Sequence, residues 1–300
     1  MLTVKKGLQI MMFNGNYPKI IDLHMHTSVS DGTDTPDEII ERVKQAGIEL
    51  FSVTDHDAIK GCKTILGLLK KDDPLFLPGV EFSCKDEKGQ YHILGYGYDT
   101  EADSINKIVE KGHGFRISKL QKRLDYLKKE YGFTFSDEDV SAVFALENPG
   151  KPHLGNLMVK YGYAPSKEEA IKKYINGFHS KDEYIRPEEA IEAITKADGI
   201  PVLAHPSYGK GDEVIRGNDM DERLRRLIGY GILGVEAFYS GFSPLLQQEM
   251  LDFAEKYNLY ITAGSDYHGK NKLVQPADTN LPKSGEYPNG LIRFIEKAIK

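Results

Sequence analysis

Cysteine is nearly missing from this chain: 300 residues carry only Cys62 and Cys84. Two thiols build neither a disulfide scaffold nor a Cys-rich zinc module, so both are expected to be structural and the chain to work in a reducing cytoplasm. Long apolar runs are missing too. No segment approaches the roughly 18 uninterrupted apolar residues of a membrane span. The N-terminal stretch MLTVKKGLQIMMFNGNYPK has no sustained apolar core and no small-residue cleavage site, which argues against a signal peptide. Residues 1–18 read instead as an arm or an edge strand. Excess positive charge is likewise absent: a net charge of −6 argues against broad binding to a nucleic-acid backbone, duplex included. It leaves room for an anionic substrate held by metal ions. The chain also shows no internal repeat and no low-complexity segment.

What is present suffices for a substantial core, since 40% of the residues are hydrophobic. Seven short apolar runs read as strands: KIIDL, ELFSVT, LFLPGVEF, YHILGYGY, IPVLA, ILGVEAF and LYITAG. Most precede a helical pattern. Thr35-Pro36-Asp37-Glu38 predicts a capping box, with Ile39, Ile40, Val43 and Ala46 on one face and Gly47 at the end. Strands alternating with helices predict an α/β fold with a mainly parallel sheet, and seven strands suggest a closed or nearly closed barrel. The short KDEKGQ turn predicts an antiparallel hairpin between the third and fourth runs. Residues 101–186 break the rhythm with helical patterns alone, ISKLQKRLDYLKKEYG, SDEDVSAVFALE, LGNLMVKYG and SKEEAIKKYING. They read as a helical insert, a lid or specificity domain, within a discontinuous barrel of residues 19–100 and 187–300. GKGDEVIRGNDMDE reads as an exposed loop.

Six of the nine histidines cluster with carboxylates at the ends of apolar runs. His24 and His26 lie two apart on an extended segment and so share a face. Asp31 follows in Ser30-Asp31-Gly32, where a turn aspartate is the alternative. His56 stands in Thr54-Asp55-His56-Asp57, whose aspartates could orient its ring or could cap a helix from Ala58 to Leu69. Glu81 sits among apolar residues, where an unpaired carboxylate is costly to bury. His92 comes early in its run, and the hairpin would return it to the same face. His205 in Ala204-His205-Pro206, and Asp266 and His268 in Ser265-Asp266-Tyr267-His268, repeat the arrangement. Most of these residues fall at or just past the C-terminal ends of strands, the face where barrel enzymes place their chemistry. Imidazole and carboxylate together bind zinc, manganese or iron with a position left open, so the pattern predicts a catalytic metal site.

In their order, HMH, the SDG aspartate, TDHD, GVEFS, YHILGYG, AHP and GSDYH resemble the PHP (polymerase and histidinol phosphatase) family of metal-dependent phosphoesterases, over residues 19–100 and 185–270. That resemblance implies a distorted seven-stranded barrel holding two or three divalent ions, manganese first, with iron or zinc as alternatives. It assigns His24, His26, Asp31, His56, Glu81, His92, His205, Asp266 and His268 as ligands. Asp266, His268 and His205 are the catalytic candidates, with His205, His268 or a metal-bound water available to protonate a leaving alcohol. Three ions would bring +6 against three ligand carboxylates, leaving about +3 in the pocket of an acidic protein.

The insert is similar to the branch of nucleoside 3′,5′-bisphosphate phosphatases, some of which trim short RNA from the 5′ end. The matching pieces are His113 with Arg116, and Lys151-Pro152-His153-Leu154 before YGYAPSKEEAIKKYI. The resemblance makes His113, Arg116 and His153 the substrate-binding candidates and a nucleotide or short oligoribonucleotide the partner. Asn156 stands where an arginine often follows that histidine, which lowers the positive charge of the expected phosphate pocket. His179, Tyr161, Tyr163, Tyr174 and Tyr184 could stack on a base or simply pack the insert. A histidinol-phosphate or other small-metabolite phosphatase is the alternative enzyme, and a non-catalytic metal-stabilised binding module is the alternative of another class.

Overall fold

The structure, a computed structural model, describes residues 17–178, 184–209, 213–282 and 286–299. Two sheets covered by helices form an α/β core. The first contains three parallel strands, β1 (Ile21–Asp22), β2 (Leu50–Phe51) and β3 (Leu75–Phe76), linked by α1 (Pro36–Gln45) and α2 (Lys60–Leu68). In α1, Glu38 accepts the Thr35 N–H at 2.8 Å, Pro36 opens the helix, and Ile39, Ile40 and Val43 are buried, all as the sequence predicts. Helix α2 begins two residues later than expected with Ile59 at its N-cap, so neither Asp55 nor Asp57 caps it.

The second sheet runs β4 (Gly79–Asp86), β5 (Gly89–Tyr96), β6 (Ile200–Leu203), β7 (Gly234–Tyr239) and β8 (Tyr260–Gly264), in that spatial order. β5 is antiparallel to both neighbours and the last three strands are parallel. The predicted hairpin turn is Glu87-Lys88, held by the Asp86 carboxylate, which accepts from the N–H groups of Lys88 and Gly89.

One closed barrel of seven strands is not what the ladders form. The run LFLPGVEF contains Pro78, which has no N–H to give, and it divides into β3 and β4, making eight strands in two sheets among the described residues. The sheets meet at isolated bridges, Met25 with Tyr267 and His56 with Glu81, and at the bond from the Leu23 N–H to the Ala263 carbonyl.

Between β5 and β6 lie the helices expected from the insert patterns. The first pattern forms part of the 29-residue α3 (Asp103–Tyr131), which ends at Gly132 with φ 71°. After it come α4 (Asp137–Phe144), α5 (Lys151–Lys160), and a turn at Lys167–Glu169 that widens into a π turn over Ala170–Tyr174. This segment has its own core, in which Leu120, Leu127, Leu154, Met158 and Ile175 are buried and Tyr161, Tyr163 and Tyr174 pack against them. Those three tyrosines serve packing; Phe133 stacks on Tyr163 at 4.2 Å. His179 lies outside the described residues, as does most of the expected N-terminal arm. Tyr17, at the arm's end, donates to Glu296.

The chain continues through α6 (Pro187–Lys196), α7 (Gly217–Gly229), α8 (Pro244–Lys256) and α9 (Asn289–Ala298). The second half of the loop expected over 209–222 is therefore the start of α7. The main core gathers Phe82, Ile93, Tyr96, Ile194, Leu203, Phe238 and Phe294, and each such side chain contributes roughly 1.5–3 kcal/mol on burial. No helix among the described residues is long and apolar enough to cross a membrane.

Candidate metal centre

Tight turns beyond the strands aim several of the site's side chains. Asp57 after β2, His205 after β6 and Asp266 after β8 all have positive φ, 48°, 25° and 59°, a backbone region that non-glycine residues seldom occupy and that clusters at functional sites. β8 ends at Gly264, where a Cβ would come within 2.3 Å of both the His24 side chain and Glu236 Oε1. Glycine therefore lets the first and last strands approach at the site.

Glu81 is the hub. Its Oε2 lies 3.4 Å from His24 Nε2, 3.2 Å from His26 Nε2 and 3.0 Å from His56 Nδ1. Its Oε1 lies 2.9 Å from His92 Nδ1 and 3.2 Å from His205 Nε2. It is the third residue of β4, not at a strand end as the sequence suggested, and the bridge to His56 brings it level with the other ligands. Asp266 Oδ1 is 3.6 Å from His24 Nε2, 3.4 Å from His26 Nε2 and 3.3 Å from His268 Nδ1. Asp31 Oδ1 lies 3.3 Å from His268 Nε2. The six clustered histidines and three carboxylates thus converge on one centre.

The ligand geometry fits cations. His24 Nε2, His26 Nε2 and His56 Nδ1 are buried without a hydrogen-bond partner, an expensive state unless something accepts their lone pairs. His92 Nδ1 and His205 Nε2 lie 3.2 Å apart beside the same Glu81 oxygen. Three sets of donors are close enough to share an ion: His26, Asp31, His56 and His268; His24, His26 and Glu81; His56, Glu81 and His92. Mixed imidazole and carboxylate sets of this kind can coordinate two or three divalent ions.

Among the side chains of the centre, opposite charges compensate one another. Burial works against ionising Glu81 and Asp266, yet neighbouring histidines hold both well below the usual carboxylate range. Burial also opposes a charge on His26, but Asp266 and Glu81 lift it to about 9. His56 and His268 are shifted down, chiefly by burial, and so favour the neutral form that binds a metal.

Several site residues escaped the sequence reading. Glu236 in β7 is fully buried, accepts from His24 Nδ1–H at 2.9 Å and from the His205 N–H at 2.8 Å, and so leaves His24 Nε2 as the ligand edge. Its signal was available, for GVEAF places a carboxylate among apolar residues just as GVEFS does. Tyr239 and Lys272 both reach Asp266 Oδ2. The aspartates flanking His56 do not orient its ring. Asp55 accepts from the Thr27 N–H and from the Thr27 and Ser30 hydroxyls, while Asp57 accepts from the Ser83 N–H and from Arg116.

Two cavities open from the centre. One, of about 230 Å³, is lined by His56, Glu81, His92, His205, Asp266 and Lys272 among others. The other, of about 250 Å³, runs from Asp31, His56 and His92 to Arg116, Lys119, Arg123, Lys151 and His153. Arg116 is braced by Asp57 and by the Ser83 hydroxyl at 3.0 Å. His153 takes the Gly150 N–H on Nδ1, which leaves Nε2 as its donor edge. His113 lines neither cavity; its Nδ1–H donates to the Glu147 carbonyl at 2.8 Å.

The chain is 27% identical over 277 residues to a phosphoribosyl 1,2-cyclic phosphate 1,2-diphosphodiesterase of Eggerthella lenta, covering 88% of this chain and 99% of that protein. It is 26% identical to a 3′,5′-nucleoside bisphosphate phosphatase of Chromobacterium violaceum, covering 83% and 87%. Among solved structures, a candidate metal-dependent phosphoesterase of Bifidobacterium adolescentis superposes with a TM-score of 0.73 at 26% identity, covering 85% and 90%. With its ligand clusters, the chain is a metal-coordinating hydrolase of phosphate esters. The PHP domain model matches residues 22–228, from β1 through β6 to α7, more than half of the chain, and the chain belongs to the PHP domain family.

Proposed function

We propose that the substrate is a nucleoside 3′,5′-bisphosphate, cleaved at its 3′-phosphate, with trimming of short oligoribonucleotides from the 5′ end as a second activity in the cytoplasm. The observation that carries this reading is the pairing of the metal centre with a second cavity walled by Arg116, Lys119, Arg123 and Lys151. A bisphosphate offers one phosphate to each. The likeness to the Chromobacterium violaceum phosphatase supports the same substrate.

When bound, divalent ions, manganese first among them, would neutralise the carboxylates, polarise the phosphoryl group and activate water. Asp266 and Glu81 would hold them with the six histidines and Asp31. Arg116, fixed on Asp57 and Ser83, would present its remaining guanidinium edge to the second phosphate, and His153 would donate from Nε2. His113 would act from behind, holding the Glu147 carbonyl. His205 and His268 are the candidates for delivering a proton to the leaving alcohol. In the same reading, residues 101–186 form the substrate-facing domain, set between the two parts of the two-sheet core, residues 19–100 and 187–300.

Phosphate release from adenosine 3′,5′-bisphosphate by manganese-loaded protein tests the proposal, with Asp266→Asn as the control. The expected result is turnover that the variant loses by at least about 100-fold. Equal activity in both proteins would defeat it. A panel adding adenosine monophosphates, a ribose cyclic phosphate, histidinol phosphate and short oligoribonucleotides assigns the substrate by kcat/KM.

A further inference from the structure

The two oxygens of Asp266 face different worlds. Oδ1 turns inward to the buried nitrogens of His24, His26 and His268. Oδ2 turns outward to the Tyr239 hydroxyl at 3.0 Å and to the Lys272 ammonium. Lys272 also lines the 230 Å³ cavity together with His56, His92 and His205, and it is the one permanent cation among that cavity's described lining residues. Its side chain is 40% exposed, so it does not need Asp266 to offset a buried charge.

The backbone beneath Lys272 is tied down. The Lys270 N–H donates to the Thr33 hydroxyl at 2.9 Å, and Asn271 Nδ2 donates to the Asp31 carbonyl at 2.7 Å. The Asn271 side-chain oxygen accepts from Lys167 at 2.7 Å. The short 3-10 turn Gly269–Asn271 is thus fastened both to the loop that carries Asp31 and to the helical segment above it. An ammonium group has three donors. With one on Asp266, two can be turned toward the cavity.

We infer that Lys272 is a substrate-contacting residue: its ammonium binds a non-bridging oxygen of the phosphoryl group in the 230 Å³ cavity, separate from the cavity that Arg116 lines, with Asp266 as its anchor. The inference rests on the phosphoester reading of the centre. A preorganised cation there meets the charge carried by a transferring phosphoryl group without having to move, the arrangement that gives electrostatic catalysis most of its strength. Tyr239, on the same carboxylate oxygen, limits where the lysine can anchor.

The test compares Lys272→Met and Lys272→Arg with the wild-type full chain, all loaded with manganese. Manganese content is measured by elemental analysis, inorganic phosphate binding by calorimetry, and hydrolysis with an aryl phosphate. The expected result is phosphate binding weakened about tenfold or more in the methionine variant, as for loss of a charge-assisted hydrogen bond, with manganese content unchanged and binding largely restored by arginine. Unchanged phosphate binding would overturn the inference. So would a fall in manganese content that accounts for the weaker binding, since Lys272 would then only position Asp266. If the wild-type protein turns over no ester yet binds phosphate through Lys272, the substrate reading fails and this one stands.

Discussion

The Glu236 carboxylate accepts the Nδ1 proton of His24 at 2.9 Å, with both side chains fully buried. Its other oxygen accepts the His205 N–H, so one residue of β7 fixes candidate ligands just beyond two different strands, β1 and β6. A glutamine can accept on only one side. Glu236→Gln is therefore expected to weaken metal binding about 10–100-fold and to cost roughly 1–3 kcal/mol of stability. Competition with a chromogenic chelator measures the first effect. An unchanged affinity would show that the tautomer of His24 is set by something else.

Arg116 spends Nε on Asp57 at 2.7 Å and Nη2 on Ser83 at 3.0 Å, which fixes the plane of the guanidinium without adding a metal ligand. Arg116→Ala is expected to raise KM for the bisphosphate about tenfold or more while leaving manganese content alone. Loss of the metal would mean that Asp57 and its turn had collapsed with it, and that the arginine is structural.

Gly264→Ala places a methyl group 2.3 Å from the His24 side chain and Glu236 Oε1. Neither neighbour can retreat, because the two are bonded to each other. The expected cost is about 1–3 kcal/mol, seen as a lower melting temperature, together with reduced metal content. A variant that melts and loads like wild type would contradict the close approach of β1 and β8.

Burial pushes the Cys62 thiol up to about 12. Its folded value is raised above the unfolded one, so the stability it contributes is whole below about pH 9 and is lost as pH rises toward 12. Denaturant titrations across that window should show stability falling, with a shallower fall in Cys62→Ala, after a loss of roughly 1 kcal/mol at neutral pH. Native protein at pH 8 should also resist alkylation at both Cys62 and Cys84, whose thiol burial likewise pushes well above the usual range. Rapid labelling without denaturant would refute the burial of either thiol.

The sequence made the centre legible where chemistry is written locally. His24 with His26, the TDHD turn and the GSDYH turn each announce themselves within a few residues, and the KDEKGQ hairpin could be placed from its length alone. What it hid lies in pairs made only by folding. Glu236 meets His24 across 212 positions, and Arg116 meets Asp57 across 59. No local pattern distinguishes Lys272 from any surface lysine. The barrel was misjudged for a related reason: the apolar run through Pro78 has the pattern of a single strand, and only the ladder shows where one missing N–H divides it.

The bridges between the sheets fall at the ligands themselves. His56 pairs with Glu81, while Met25 and Tyr267 sit beside His26 and Asp266. An ion shared by His56 and Glu81, or by His26 and Asp266, would act as a rivet across the division between the two sheets, so that catalytic loading and mechanical closure become one event. Chelation would then loosen the molecule along these lines first. The amide of Asp57, bonded to the Glu81 carbonyl, and that of His26, bonded to the Tyr267 carbonyl, would exchange with solvent well before those inside either sheet.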